Sequence, residues 1–335
     1  MTKAAVFGAG SWGTAFAMVL ADAGTDVTLF ARRADIVETV NATHENPWYQ
    51  PGIKLPERVR ATIDASEALD GAHFVVLAIT AQTLRDNLAQ WAPRLPPDSL
   101  LVSLIKGVEL GTTKRMTEVI REVADVQADR VAVVTGPNLA REIAERRPSA
   151  AVVACSSPEQ ATLLQSASQT PYFRPYTNTD VVGCELSGAL KNVIALAVGI
   201  ADGMKLGDNA KASLVTRGLA ETARLGVALG ADPMTFAGLA GLGDLVATCA
   251  SPLSRNHSVG ERLGSGMSVE EALSATTTTA EGVASSKSIL ELARKHDIDV
   301  PITEVVVAVL YESLRPADAV TRLMTRAAKP ERHGQ

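Results

Sequence analysis

Cysteine is scarce. Three residues (Cys155, Cys184 and Cys249) are scattered through 335. That odd, unclustered set gives neither a disulfide framework nor metal-ligand spacing. It suits a reducing cytosol, with each thiol a small buried residue. An excess of positive charge is missing too. The 32 Lys and Arg residues against 37 Asp and Glu leave a net charge of −5 with no basic block. That balance excludes a general nucleic-acid or membrane-surface role, so any anion site has to be local. No long hydrophobic run stands out. The most apolar stretch, Val193 to Ile200, is far too short to span a bilayer. The chain runs straight into its first strand, so no signal peptide is expected. Internal repeats and low-complexity tracts are absent. What is left is an ordinary globular composition, 46% apolar and 21% charged, long enough for two domains with sizeable cores.

The first 180 residues alternate short apolar runs with helical patterns. Strands are predicted at Ala4–Phe7, Val27–Phe30, Phe74–Ala78, Leu100–Leu104, Val131–Val134 and Ala150–Ala154. Their nearly continuous apolar character suits parallel strands buried on both faces. Helices are predicted at Ser11–Ala23, Thr112–Ala124 and Pro158–Ser168. The segment Asn46 to Gly52 reads as a surface loop carrying Trp48 and Tyr49, near one end of a bound nucleotide. From Val181 onward strand signals vanish. Helical runs cover Val181–Asp202, Ala210–Gly230, Ser254–Leu263, Glu281–His296 and Pro301–Leu310, with glycines marking their ends. The expectation is an α/β doubly wound Rossmann-like sheet over 1–180, an all-α domain over 181–328, and a disordered tail over 329–335. The reaction site would lie in the cleft between the two domains.

Gly8-Ala9-Gly10-Ser11-Trp12-Gly13 follows the first strand and opens the first helix. This is the G-x-G-x-x-G context of a dinucleotide site. Gly8 permits the tight turn and Gly10 lets a pyrophosphate approach the backbone. Gly13 lets the helix pack on its strand, while orphan N–H groups face the anion. At the end of the second strand an NAD site usually has an acid, about 20 residues past the glycines. Here Ala31-Arg32-Arg33 stands instead. Two guanidiniums hold a 2′-phosphate that a carboxylate would repel, so NADP(H) is favoured over NAD(H). The alternative is that one or both arginines are solvated and stack on adenine, which would let the chain accept both cofactors.

In the helical half, Lys191 lies in an apolar helix. Burial or a nearby cation would lower its pKa and suit a general acid that protonates a carbonyl oxygen. From spacing alone the commoner reading is a lysine that snorkels to the surface or pairs with Glu185. Asp244, after Gly241-Leu242-Gly243, either charge-balances Lys191 or caps a helix. Thr248 falls on the same helical face as Asp244. Ser254-Arg255-Asn256 offers a local phosphate grip at a helix start, or is an ordinary cap. Lys106-Gly107 and Gly136-Pro137-Asn138 follow strands, where ligands of doubly wound sheets sit. Lys106 brings positive field to Lys191, or is a plain loop lysine. His44 and His257 read as surface residues, and His296 and His333 carry no argued role.

Together these segments, with Leu190-Lys191-Asn192, Ala280-Glu281-Gly282 and Pro301-Ile302-Thr303-Glu304, resemble the bacterial-type NAD(P)-dependent glycerol-3-phosphate dehydrogenases over nearly the whole chain. The resemblance implies reversible reduction of dihydroxyacetone phosphate to sn-glycerol 3-phosphate, a phospholipid precursor, in the cytoplasm. It implies that Lys191 is the proton donor and acceptor, assisted by Asp244 and Lys106. Substrate contacts are implied at Lys106, Gly136, Asn138, Lys191, Asn192, Asp244, Thr248, Ser254, Arg255 and Asn256. Cofactor contacts are implied at Ser11, Trp12, Arg32, Arg33, Tyr49, Lys106, Ala140, Arg255, Ala280 and Glu281, beside the three glycines. Asn138 departs from the small hydroxyl residue usual in this family. For Glu281 the plain reading is a carboxylate favoured at a helix start. Nucleic acid and membrane insertion are not expected. A homodimer is compatible with the sequence, which does not fix oligomeric state. Two other readings stand beside this one. A related two-domain dehydrogenase for a hydroxy or keto acid would share the Lys-Asn pair but not need the Ser-Arg-Asn cluster. A non-catalytic dinucleotide sensor would not need a buried Lys191.

Overall fold

The computed structural model describes residues 2–275, 280–328, 330 and 331. The expected disordered tail therefore lies largely outside the described residues, as does His333. One sheet is built from β1 (Lys3–Phe7), β2 (Asp26–Phe30), β3 (Val59–Thr62), β4 (Phe74–Leu77), β5 (Leu100–Ser103), β6 (Val131–Thr135), β7 (Ser149–Cys155) and β8 (Phe173–Asn178). Its order is β3-β2-β1-β4-β5-β6-β7-β8. β1 is an interior strand: Val6 pairs with Leu29 of β2 and Val76 of β4. β4 and β5 are buried along their whole length, which is why they read as unbroken apolar runs.

Three features depart from the sequence reading. β7 runs antiparallel to β6, with Val134 opposite Val153. A strand buried on both faces looks alike in either direction, so composition could not reveal the reversal. β3 and β8 are edge strands that the apolar-run criterion missed. β3 carries exposed Arg60, and β8 carries Arg174 and Tyr176 facing outward and Pro175, a residue tolerated at a sheet edge.

Helices α1 (Ser11–Asp22), α2 (Ala34–Thr43), α3 (Ala65–Leu69), α4 (Leu84–Trp91), α5 (Met116–Ala124), α6 (Ala140–Ala144) and α7 (Pro158–Ser168) connect the strands. α7 starts where its cap dictates. Ser157 Oγ accepts the N–H of Gln160, and Pro158 takes the first helical position. α5 begins later than Thr112, because Val108 and Arg115 bridge across the intervening turn and Arg115 becomes the cap residue.

The second half is helical: α8 (Val181–Gly203), α9 (Asp208–Ala228), α10 (Pro233–Ala237), α11 (Asp244–Ala250), α12 (Arg255–Gly264), α13 (Val269–Ser274), α14 (Glu281–Lys295), α15 (Pro301–Tyr311) and α16 (Pro316–Met324). α8 is the axis of this half. Every residue from Gly183 to Ala201 is buried, against α9, α11, α12, α14 and α15. By length and composition alone this 23-residue helix could cross a membrane, which the eight-residue apolar stretch did not suggest. In the folded chain 89% of its most apolar window is buried inside the protein.

Buried carboxylates fix the position of these helices. Glu185 of α8 accepts the Thr117 N–H at 2.8 Å and its hydroxyl at 2.6 Å, and pairs with Arg115 at 2.7 Å. It thereby pins α8 to the first turn of α5. Glu221 of α9 does the same for α15, accepting the N–H groups of Ile302 and Thr303. Burial raises the pKa of both carboxyls. α8 and α12 meet through glycines. A Cβ on Gly199 would lie 2.1 Å from the carbonyl oxygen of His257, and one on Gly260 would lie 2.2 Å from that of Leu196. Backbone thus packs directly on backbone. The three cysteines are buried and free, with burial raising each thiol's pKa.

Candidate active site

A cavity of about 1080 Å³ opens between the carboxyl ends of the strands and the helical half. The glycine turn forms one end. Gly8 has φ +125°, and a Cβ there would meet the Ala78 carbonyl oxygen at 2.3 Å. A Cβ on Gly13 would strike the Gly8 carbonyl oxygen at 1.9 Å, whereas Gly10 faces open space. The cap residue of α1 is Gly10 and has no side chain to satisfy the first N–H groups. They are left for an anion. Trp12 lines the cavity, and its Nε1–H is buried without a partner.

The segment expected as a surface loop is clamped to this turn. Asn46 is fully buried and donates to the Ala9 carbonyl and to Thr14 Oγ1, both at 2.9 Å. Gln50 donates to the Ser11 carbonyl at 3.1 Å. Tyr49 is thereby held in the cavity wall. Nothing in the sequence marked Asn46 and Gln50 as clamps beyond polar residues in a Pro-flanked segment. His44 is not a plain surface residue: half-buried, it closes α2 in the left-handed conformation at φ 51°.

Arg32 and Arg33 both line the cavity, in different states. Arg33 is held by Asp35 and lies over the Trp48 ring, 5.0 Å from its centroid. Arg32 is exposed and has no hydrogen bond or ion pair among the described residues. Ala140 opens α6 in the wall nearby. Beside it, both amide atoms of Asn138 are buried and without a partner.

The charged centre joins the two halves of the chain. Asp244 is 1% exposed. Its Oδ2 accepts from Lys106 Nζ at 2.6 Å, and its Oδ1 accepts from Lys191 Nζ. Lys191 also donates to Thr248 Oγ1 at 2.7 Å, and Lys106 to the Gly136 carbonyl at 3.1 Å. Lys191 is 9% exposed. It neither snorkels nor pairs with Glu185, which is taken by Arg115 and Thr117. Asp244 is not a cap; Gly243 occupies that position after a π-helical turn over Leu239–Gly243. Desolvation pushes the Lys191 ammonium down to about 8. The Asp244 carboxylate opposes that shift and the neighbouring Lys106 ammonium adds to it.

The Ser254-Arg255-Asn256 segment proves to be both a cap and a wall. Ser254 Oγ accepts the His257 N–H and starts α12. Arg255 reaches the cavity exposed. Asn256 is a brace: it donates to Asn192 Oδ1 at 3.0 Å, and its Oδ1 accepts the Gly282 N–H at 3.0 Å. α8, α12 and α14 are tied together there. His257, expected at the surface, is largely buried and sits 2.7 Å from Asp202 Oδ2. That pairing spans 55 residues and leaves no local trace. Ala280 caps α14, and Glu281 faces the cavity. Burial raises the Glu281 carboxyl to about 7, against the pull of Arg255, Lys106 and Lys191.

These groups fit an extended dinucleotide with a small anion beside it. There is an uncapped helix start, a glycine facing open space, an orphaned indole N–H and an orphaned amide, all in one cavity.

Comparison with known proteins places the chain in a family. Residues 3–161 match the family model for the N-terminus of NAD-dependent glycerol-3-phosphate dehydrogenase, and residues 180–321 match that for its C-terminus. A relative named glycerol-3-phosphate dehydrogenase [NAD(P)+], from Streptomyces griseus, is 67% identical over 330 residues, covering 98% of both chains. Another of that name, from Corynebacterium glutamicum, is 57% identical over 332 residues, covering 99% of this chain and all of the relative. The crystal structure of glycerol-3-phosphate dehydrogenase from Coxiella burnetii superposes with a TM-score of 0.92 at 36% identity, covering 97% of this chain and 99% of that one. On this shared fold, with both family models matched in order, the chain belongs to the NAD-dependent glycerol-3-phosphate dehydrogenase family.

Proposed function

We propose that the protein catalyses the reversible reduction of dihydroxyacetone phosphate to sn-glycerol 3-phosphate, with NADP(H) preferred and NAD(H) accepted. The observation that carries the reading is the buried Lys191 ammonium, shared with Asp244 and Thr248 at the wall of a cavity that also holds the glycine turn. A bound nicotinamide would supply the hydride; the remaining tasks fall to side chains.

Lys191 gives its proton to the carbonyl oxygen as charge develops there, and takes it back in the oxidising direction. A pKa near 8 suits both roles close to neutral pH. Asp244 holds the ammonium in place through both states. Lys106 balances the carboxylate, so no buried charge is stranded when Lys191 turns neutral. Two ammoniums against one carboxylate leave local positive charge, and with Arg255 they draw a phosphorylated anion into an otherwise acidic protein. Arg255 anchors the phosphate with Ser254 and with the remaining N–H of Asn256, so binding far from the reacting carbon sets the carbonyl. Asn138, Asn192, Gly136 and Thr248 complete the substrate wall.

Gly8, Gly10, Gly13, Ser11 and Trp12 hold the pyrophosphate end of the cofactor, and Arg32 and Arg33 the 2′-phosphate. Tyr49, Ala140, Ala280 and Glu281 form the remaining walls. In this reading residues 1–180 supply most of the dinucleotide site and 181–328 most of the substrate site, with Ala280 and Glu281 closing the cofactor side. Three free buried thiols suit a reducing cytoplasm.

The test follows nicotinamide absorbance with NADPH and either dihydroxyacetone phosphate or dihydroxyacetone. Turnover is expected only with the phosphorylated ketone, and Arg255→Ala is expected to raise its KM with kcat little changed. Equal turnover of both ketones by the wild type would point to a keto-acid type of enzyme. A flat trace from folded protein would point to a sensor.

A further inference from the structure

We propose that Asp35 sets the balance between NADP(H) and NAD(H), by competing with the cofactor's 2′-phosphate for Arg33. The proposal rests on the dinucleotide reading of the cavity given above. It concerns a residue that neither the spacing of motifs nor the family resemblance singled out.

The two arginines after β2 are not equivalent. Arg32 is free to meet a ligand phosphate. Arg33 is engaged twice: Nε donates to Asp35 Oδ1 at 3.0 Å while Nη2 donates to Oδ2, and its Cζ lies over the Trp48 ring. The carboxylate thus occupies the Nε–Nη2 edge of the guanidinium, one of the two-pronged edges that a phosphate can use. Asp35 is also well placed to stay ionised. It lies in the first turn of α2, where the helix end favours negative charge.

A 2′-phosphate can therefore take Arg32 without disturbance but gains the Nε–Nη2 edge of Arg33 only by displacing Asp35. A 2′-hydroxyl needs no such exchange, and the Arg33–Asp35 pair stays closed. The competitor lowers the affinity for the phosphorylated cofactor and leaves that for the unphosphorylated one unchanged. Asp35 lies 22 residues past Gly13, close to where an NAD site puts its acid. In this fold the Asp35 carboxylate is turned onto a neighbouring arginine.

The experiment measures binding of 2′,5′-ADP and of 5′-AMP by calorimetry, at low salt, to the full-length wild type, Asp35→Asn and Asp35→Glu. Asp35→Asn is expected to tighten 2′,5′-ADP about five-fold, the size of one exposed ion pair, with 5′-AMP unchanged. Asp35→Glu retains the carboxylate and is expected to stay near the wild-type ratio. Unchanged 5′-AMP binding also reports an intact site. An unaltered ratio in Asp35→Asn, or equal tightening of both nucleotides, overturns the role of Asp35 and leaves the arginine site standing. Should the wild type bind 2′,5′-ADP no better than 5′-AMP, the arginine site itself falls, and Asp35 with it.

Discussion

Lys106 and Asp244 are 138 residues apart, yet the lysine Nζ and the carboxylate Oδ2 lie 2.6 Å apart in the interior. This bond fastens the loop after β5 to the first turn of α11, and so joins the sheet to the helical half. The carboxylate is 1% exposed, so an unpaired charge there would cost several kcal/mol. With Lys191 on its other oxygen, Asp244 is held from both halves. The same contact that stabilises the junction also places the proposed proton donor.

Removing the ammonium isolates its chemical role. Lys191→Met keeps most of the side-chain volume and no proton. The single-turnover rate of ketone reduction is expected to fall by about 100- to 10,000-fold, the usual worth of a positioned acid. Cofactor binding, followed separately by calorimetry, is expected to hold. A rate near that of the wild type would remove Lys191 from the chemistry.

The lowered pKa of Lys191 fixes the sign of the pH response. Reduction needs the ammonium, so its kcat/KM is full below about 8 and falls about ten-fold per pH unit above it. Oxidation needs the neutral amine and rises through the same region. Profiles of kcat/KM in both directions, taken from neutral to alkaline pH, check this. Parallel profiles in the two directions would contradict it.

The glycine contact between α8 and α12 makes a structural prediction. A Cβ at Gly199 would lie 2.1 Å from the His257 carbonyl oxygen, whereas one at Gly243 would meet nothing closer than 3.6 Å. Gly199→Ala has to push α12 away and is expected to cost about 1–3 kcal/mol, read as a fall in Tm. Gly243→Ala is expected to leave Tm within about a degree. Because α12 begins at Arg255, Gly199→Ala should also raise KM for the phosphorylated ketone. Equal Tm values for the two variants would show that the helices are not packed backbone to backbone.

The legible parts of the chain were those written locally. β1, the glycine turn and α1 occupy adjacent residues, and their hydrophobic period and glycine spacing report one continuous structure. α7 and α14 begin at their predicted first residues, Pro158 and Glu281. β3 and β8 escaped notice because edge strands bury one face and interrupt their apolar runs with Arg60, Arg174 and Pro175. At the site, Lys191 and Asp244 were named as candidates from their contexts. The clamp made by Asn46 and Gln50, the brace made by Asn256 and the His257–Asp202 pair were not, since each partner is remote in the chain.

By itself, the sequence determined an alternating α/β half with a phosphate-ready turn, followed by helices around one apolar axis. Backbone propensity and the repeat of buried side chains act over neighbouring residues and can be read in order. Only the tertiary structure decided the direction of β7, which arginine is free, and whether Lys191 meets water or Asp244. Those outcomes depend on hydrogen bonds and desolvation between segments far apart in the chain, and such contacts exist only once the whole chain has packed.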